Sequence, residues 1–338
     1  MMQDPQVKRS TLRDVAELAG VSYQTVSRVI NQHPNVARRT RERVLSAIRQ
    51  LDYRPNQAAK VLATGRSYIL QLLMYDIRYS DPLPAMIYQA RKQGYTLLIS
   101  ELSPFAAPED IRAALDDLTA RMIDGLLIYT PTPFFSYTEM RSLCRGVPFV
   151  LVGAALGIKS PSVVFDQRHG CELAIQHLLD LGHRQIAEIA GHPRHIDAQL
   201  RHETVVTMLK AHGLTPGPSI AGDFEVPSGY ASTIKLLDSG EPFTALFVAN
   251  DRMALGALRA LHERGVRVPE DVSVVGFDDM GEAAYFNPPL TTVRQDLQVL
   301  AQQSVEYLVS MIGNPSMPVQ QRVLYPELIV RGSTAPLK

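Results

Sequence analysis

The chain has no tryptophan and only two cysteines, Cys144 and Cys171, among its 338 residues. Neither cysteine has a partner at metal-ligand spacing, which argues against a disulfide framework or a zinc staple and leaves buried free thiols as the reading. No uncharged apolar run approaches the roughly 20 residues that a membrane span needs. The amino terminus is polar and unlike a signal peptide, so a cytoplasmic protein without membrane contact is expected. There is no nucleophile elbow, P-loop or zinc motif, and no enzyme activity is expected. Gly125, Gly153 and Gly191 are too scattered for a phosphate loop. Of the nine histidines, His177, His183, His192 and His195 share one sub-region without matching a metal signature. They read as structural or solvent-facing.

Net charge is also missing, at 34 basic against 34 acidic residues, but the balance hides a segregation. Residues 1–66 hold 12 Lys+Arg and 5 Asp+Glu, a net of +7, which leaves −7 for the remainder. A basic head on an acidic body suits a phosphate-binding module attached to something else.

Inside that head, TLRDVAELAGVSYQTVSRVIN (11–31) carries helical periodicity twice. Leu12, Val15, Ala16 and Ala19 share one face of a first helix. Gly20 then accepts the backbone geometry of a helix end at no steric cost. Ser22 is a good N-cap for a second helix whose buried stripe is Val26, Val29 and Ile30. Its other face shows Tyr23, Gln24, Ser27, Arg28 and Asn31, side chains able to read base edges in a major groove. A helix–turn–helix is one reading; a helical hairpin with a solvated polar face is the other. A third helix is predicted from about 38 to 51, with Val44, Ile48 and Leu51 inward. Its Arg38, Arg39, Arg41 and Arg43 cluster is read as phosphate-facing. The segment QAAKVLA (57–63) has too little apolar surface to fold alone and should order only in a complex.

From Tyr68 the rhythm changes. Apolar runs at 68–75, 95–100, 124–129, 148–153, 162–165, 185–191, 243–250 and 271–279 alternate with amphipathic helical stretches. This alternation predicts parallel sheets covered by helices on both faces. Eight or more strands exceed one compact sheet, so two α/β lobes dividing near Phe165–Asp166 are expected. Ligands bind at the carboxyl ends of such strands, which singles out Asn250-Asp251 and Asp278-Asp279. Adjacent carboxylates at a strand end point apart, which suits a glycosidase pair poorly. Asp278 as a hydroxyl acceptor, with Asp279 capping the following turn, is the better reading.

With these residues in view, the chain resembles LacI-type transcriptional regulators along essentially its whole length. LRDVAELAGVSYQTVSRVIN and TRERVLSAIRQLDYRPNQAAKVLA are similar to the family's DNA-binding head and hinge. VANDRMALGALRAL, VPEDVSVVGFDD and NPPLTTVRQDLQVLAQQSVEYL are similar to its effector-binding core. The resemblance implies a helix–turn–helix domain (1–55), a hinge helix and linker (56–66) and a core (67–338) of two Rossmann-like, periplasmic-binding-protein-type lobes. It divides them as about 67–165 with 297–320, and 166–295 with 321–332. It also implies a homodimer on near-palindromic operator DNA and a sugar effector, with no other cofactor; a purine or other nucleobase is the alternative.

By the same resemblance, Tyr23, Gln24 and Arg28 would contact bases, and Thr11, Ser22, Thr25, Asn31, Thr40, Tyr53 and Asn56 would hold phosphates. Leu12, Ser27 and Ala59 complete the implied interface, with Leu62 as the apolar wedge in the minor groove. Arg201, Phe224, Asn250, Asp278 and Gln295 would line the effector cleft. Arg201 and Asp278 can bracket vicinal hydroxyls and Phe224 can stack on a sugar face. Some positions depart from the matched pattern. Gly153 stands where an acidic residue is usual, Leu297 where an aromatic is, and Ala37 where a Ser N-cap is. The loop after the first strand is about two residues shorter, and no leucine-heptad tail follows, so a dimer is expected.

Overall fold

The computed structural model describes residues 10–30, 33–53, 65–75, 82–103, 106–129, 135–153 and 155–338. They divide into two units, with the boundary between Ser67 and Tyr68.

The head unit is built from α1 (Leu12–Ala19), α2 (Tyr23–Ile30) and α3 (Arg38–Gln50). Thr11 caps α1 through a capping box. Its amide and hydroxyl donate to Asp14 Oδ2 at 2.7 and 2.9 Å, while the Asp14 amide donates back to its hydroxyl. Gly20 ends α1 at φ +60°. A Cβ there would lie 2.8 Å from the Arg43 guanidinium, which donates to the Ala19 and Gly20 carbonyls. Val15, Ala16, Ala19, Val26, Val29, Val44 and Ala47 form the core these three helices enclose. As expected at Ala37, α3 starts without a side-chain cap.

The second unit holds two six-stranded sheets. Its elements run β1 (Ile69–Tyr75), α4 (Leu83–Lys92), β2 (Thr96–Leu102), α5 (Pro108–Thr119), β3 (Gly125–Tyr129), α6 (Tyr137–Leu143), β4 (Phe149–Val152) and β5 (Ser162–Phe165). After the crossing come α7 (Gln167–Asp180), β6 (Ile186–Ala190), α8 (Ile196–Ala211), β7 (Ser219–Ala221), α9 (Val226–Asp238), β8 (Ala245–Val248), α10 (Asp251–Glu263), β9 (Ser273–Asp278) and β10 (Thr291–Arg294). The chain then returns through α11 (Leu297–Gly313), β11 (Gln321–Leu324) and β12 (Glu327–Ile329).

Sheet order is β11-β5-β4-β3-β1-β2 in the first lobe and β12-β10-β9-β8-β6-β7 in the second. Every pairing is parallel except β10 with β12. In each lobe apolar clusters cover both faces, as near-continuous hydrophobic strands require. Helices α4 and α11 pack on one face of the first sheet, α5 and α6 on the other. In the second lobe α9 and α10 oppose α7 and α8.

One expected boundary needs correction. Residues 321–324 were assigned to the second lobe, but β11 pairs with β5 from Gln321↔Ser162 to Leu324↔Phe165 and extends the first sheet. Only β12 joins the second, so the chain crosses between lobes three times: after β5, after β10 and after β11.

Cys144 and Cys171 are both fully buried free thiols, and burial pushes the Cys144 thiol up to about 12. No helix among the described residues is long and apolar enough to cross a membrane. Nor does any group of three or more His, Cys, Asp or Glu among them suit a metal ion.

Candidate functional sites in the head and the cleft

In the head, α2 presents Tyr23, Gln24 and Arg28 to solvent while Val26 and Val29 face the core. The Ser22 hydroxyl accepts from the Thr25 amide at 3.2 Å and lies 2.9 Å from the Thr25 hydroxyl, which fixes the helix start. Ser27 and Thr40 are half-buried, and Leu12 packs against the head core. Tyr53 is only 6% exposed and belongs to that core, so its ring acts first in packing.

The arginine cluster of α3 is less available than its sequence suggests. Arg43 holds the end of α1, Arg41 donates to the His33 carbonyl at 2.7 Å, and Arg38 pairs with Glu42 at 3.0 Å. Asn31, Asn56, Ala59, Leu62 and most of the 56–66 hinge lie outside the described residues.

The cleft of the second unit forms at the carboxyl ends of both sheets, where parallel folds bind ligands. It has a volume of about 130 Å³ and is lined by Arg201, Phe224, Asn250, Asp278 and Gln295, all five of the expected residues. The lining also includes Tyr75, Tyr129, Gly153, His195 and Asp197.

Four side chains close a ring of polar contacts, two of them, Gln167 and Gln295, just after crossings between the lobes. Arg201 Nε donates to Gln167 Oε1 at 3.0 Å, and Gln167 Nε2 donates to Gln295 Oε1 at 2.8 Å. Gln295 Nε2 donates to Asp278 Oδ1 at 2.7 Å, and Arg201 Nη2 reaches the same oxygen at 3.6 Å. Arg201 also donates to the Ala249 carbonyl and stacks over Phe277, 3.7 Å from the ring centroid. A guanidinium only 4% exposed is tolerable because its donors have acceptors. The ring therefore fixes the direction in which Asp278 presents its carboxylate.

Asn250 caps α10, its Oδ1 accepting from the Met253 amide at 2.9 Å while its Nδ2 donates to the Phe224 carbonyl at 3.0 Å. It thereby pins Phe224, which sits at φ +70°, an unfavourable setting for an aromatic residue. Gly191 is required beneath it, since any Cβ there would enter the Phe224 ring.

One expectation fails here. Asp279 caps no turn: its Oδ2 accepts from Arg294 at 2.7 Å and its Oδ1 from Arg331 at 2.6 Å, locking β10 to the segment after β12. His195 is half-buried and packed among rings, and it also lines the cleft, its ring 5.3 Å from Phe224, 5.4 Å from His192 and 5.9 Å from Tyr75 of the first lobe. Beneath the cleft, Asp251 is 1% exposed, with the Thr292 hydroxyl at 2.6 Å and the Met280 amide at 2.9 Å. Burial and the nearby Asp278 charge push its carboxyl up to about 8.

A helix–turn–helix head joined to two parallel-sheet lobes with a preformed polar cleft defines a ligand-responsive regulator. Comparison with known proteins fixes the family. Residues 11–56 match the model of bacterial regulatory proteins of the lacI family, and 175–334 that of a periplasmic binding protein-like domain. The chain is 36% identical to the lactose operon repressor of Escherichia coli K12, over 93% of this chain and 89% of that one. It is 34% identical to the PurR repressor of Haemophilus influenzae, over 96% and 98%. Among solved structures, a lac repressor dimer bound to operator and the anti-inducer ONPF matches with a TM-score of 0.89 and 35% identity, over 97% and 100% of the two chains. A complex of the regulator CelR with cellobiose matches at 0.71 and 32%, over 96% and 100%. The chain belongs to the LacI family of DNA-binding transcriptional repressors.

Gln167, Tyr75, Tyr129 and Asp197 are not singled out by the sequence, and His195 stands out only as one of four histidines without a metal signature. Asp197 alone left a local signal, four residues before Arg201 and hence on the same face of α8.

Proposed function

We propose that this protein is a homodimeric repressor whose grip on a near-palindromic operator is controlled by a small saccharide bound between the two lobes. The observation that carries the effector reading is the ring of Arg201, Gln167, Gln295 and Asp278 beside Phe224. It holds a carboxylate acceptor ready for hydroxyl groups next to an aromatic face for an apolar sugar face. For DNA, the carrying observation is the exposure of Tyr23, Gln24 and Arg28 on one face of α2. On this reading Thr11, Ser22, Thr25 and Thr40 of the head are phosphate ligands. Effector binding changes the relative stability of two lobe arrangements, and that bias reaches the head through the hinge segment.

Thermal unfolding of the full chain against a sugar panel tests the effector claim. One sugar should raise the melting temperature, and Asp278→Asn should abolish the rise. A shift produced by a purine and by no sugar would overturn it. That outcome would favour the second reading, a nucleobase-responsive regulator, which rests on the similarity to PurR. A gel shift with palindromic DNA at moderate salt tests the head; binding without sequence preference or salt dependence would defeat it.

A further inference from the structure

One carboxyl group of the cleft stands outside the ring of contacts. Asp197 lies in the first turn of α8 and lines the cleft. Asp278 is engaged by Gln295 and Arg201; Asp197 has no hydrogen bond or ion pair of its own among the described residues. Burial pushes its carboxyl above the usual carboxylate range, and the Arg201 guanidinium draws it partway back. Asp197 is half-buried; a carboxyl partly withdrawn from water without donors is unfavourable, so a ligand that brings a donor is favoured there.

The neighbours narrow the class. Tyr75, Tyr129, His195 and Phe224 supply rings and Gly153 supplies only backbone. Arg201, the guanidinium in the lining, is already bonded to Ala249, Gln167 and Asp278 and stacked on Phe277. An anionic ligand would meet the Asp197 and Asp278 carboxylates while Arg201 has other partners.

We propose that Asp197 is a specificity-determining residue of the cleft, accepting a hydrogen bond from a hydroxyl or ammonium group of the effector. It selects neutral or amino sugars against their phosphate esters. The proposal rests on the saccharide reading and names the class of saccharide.

The test is calorimetric titration of the full chain with aldohexoses and disaccharides, their 2-amino counterparts, their 6-phosphates and purine bases. A free or amino sugar should bind, and its phosphate ester at least about tenfold more weakly. Asp197→Ala should weaken the sugar about tenfold, the loss expected of one charge-assisted hydrogen bond. Asp197→Asn should retain part of the sugar affinity and narrow the discrimination against the phosphate. Unliganded melting temperatures show whether each variant folds. Should Asp197→Ala not fold, Asp197→Asn and the wild-type phosphate comparison decide.

Neutral and amino forms together identify the donor: tighter binding of the amino sugar makes it an ammonium, the reverse a hydroxyl. Sugar binding unchanged in Asp197→Ala, or a phosphate ester bound as tightly as its parent, overturns this proposal alone. A purine as the only ligand, or no ligand from either class, overturns the saccharide reading with it.

Discussion

The recognition face of the head and the wall of the cleft are opposite solutions to binding. Tyr23, Gln24 and Arg28 lie within one eight-residue helix and are exposed, backed by a small apolar core. The cleft residues come from positions as far apart as Tyr75 and Gln295, are buried or half-buried, and several are tied to one another by hydrogen bonds. The head's polar face waits for a partner to complete its hydrogen bonds. The cleft has completed most of them beforehand, so that little ordering remains when a ligand arrives. Substitutions in the cleft should therefore damage fold and function together, and those on the recognition face function alone.

The sharpest way to break that comparison is Arg201→Ala. It removes a buried guanidinium, leaves Gln167 Oε1 and the Ala249 carbonyl without their donor, and takes the counter-charge from Asp278. Loss of one partner of a buried pair costs about 3–5 kcal/mol. Asp278 keeps some solvent, which places the expectation near the lower figure. Urea unfolding monitored on the second unit measures it. A midpoint unchanged from wild type would mean that the ring does not organise the cleft.

In the head, the position that behaves like the cleft is Gly20. Gly20→Val forces a β-branched residue to φ +60° and drives its side chain against Arg43. The expected cost is about 2 kcal/mol, read from hydrogen exchange in α1, α2 and α3. By contrast, Arg28→Ala should change head stability by less than about 0.5 kcal/mol. On the proposed reading it relaxes base discrimination by roughly 1–3 kcal/mol. Gel shifts against operator variants, beside thermal unfolding, separate the two. Equal losses in both would erase the distinction drawn here.

How much of this was legible in the sequence follows from burial. The eight long apolar runs all became strands, seven of them shielded on both faces; β2 at the sheet edge is the exception, with Leu98 and Ile99 exposed. Strands β7, β10, β11 and β12 were missed for the complementary reason. They have three or four residues, and β7, β11 and β12 are half-exposed edge pieces without an apolar run. Strand β10 is buried, but its Thr291 and Thr292 are polar residues hydrogen-bonded to Ser333, Thr334 and Asp251. The lobe of β11 is a pairing decision, invisible along the chain. The cleft was half-legible: polar residues at the ends of β8 and β9 pointed to Asn250 and Asp278. Nothing local ties Tyr75 to His195, which meet only because two lobes face each other. Asp279 was misread because its partners, Arg294 and Arg331, come from distant segments.

The smallest expected effect tests whether a buried polar cluster away from the cleft behaves as the cleft does. Glu188 on β6 is 3% exposed, and its Oε2 accepts from the Ser219 hydroxyl at 2.7 Å and meets His202 Nδ1 at 2.6 Å. The bond to Glu188 raises the His202 pKa above its ordinary value, against a smaller opposing effect of burial. A histidine that binds its proton more tightly when folded stabilises the fold fully below the unfolded value of about 6.5. That contribution is lost as pH rises through the folded value. The imidazole is nearly half exposed, so solvent and salt reduce the effect. Melting temperatures of wild type and His202→Gln, which keeps a donor but cannot titrate, should differ most below pH about 6.5 and converge above it. The difference should shrink as salt is added. Parallel curves across the whole range would show that His202 holds Glu188 as a neutral donor, and that the two, unlike Arg201 and Asp278, form no ion pair.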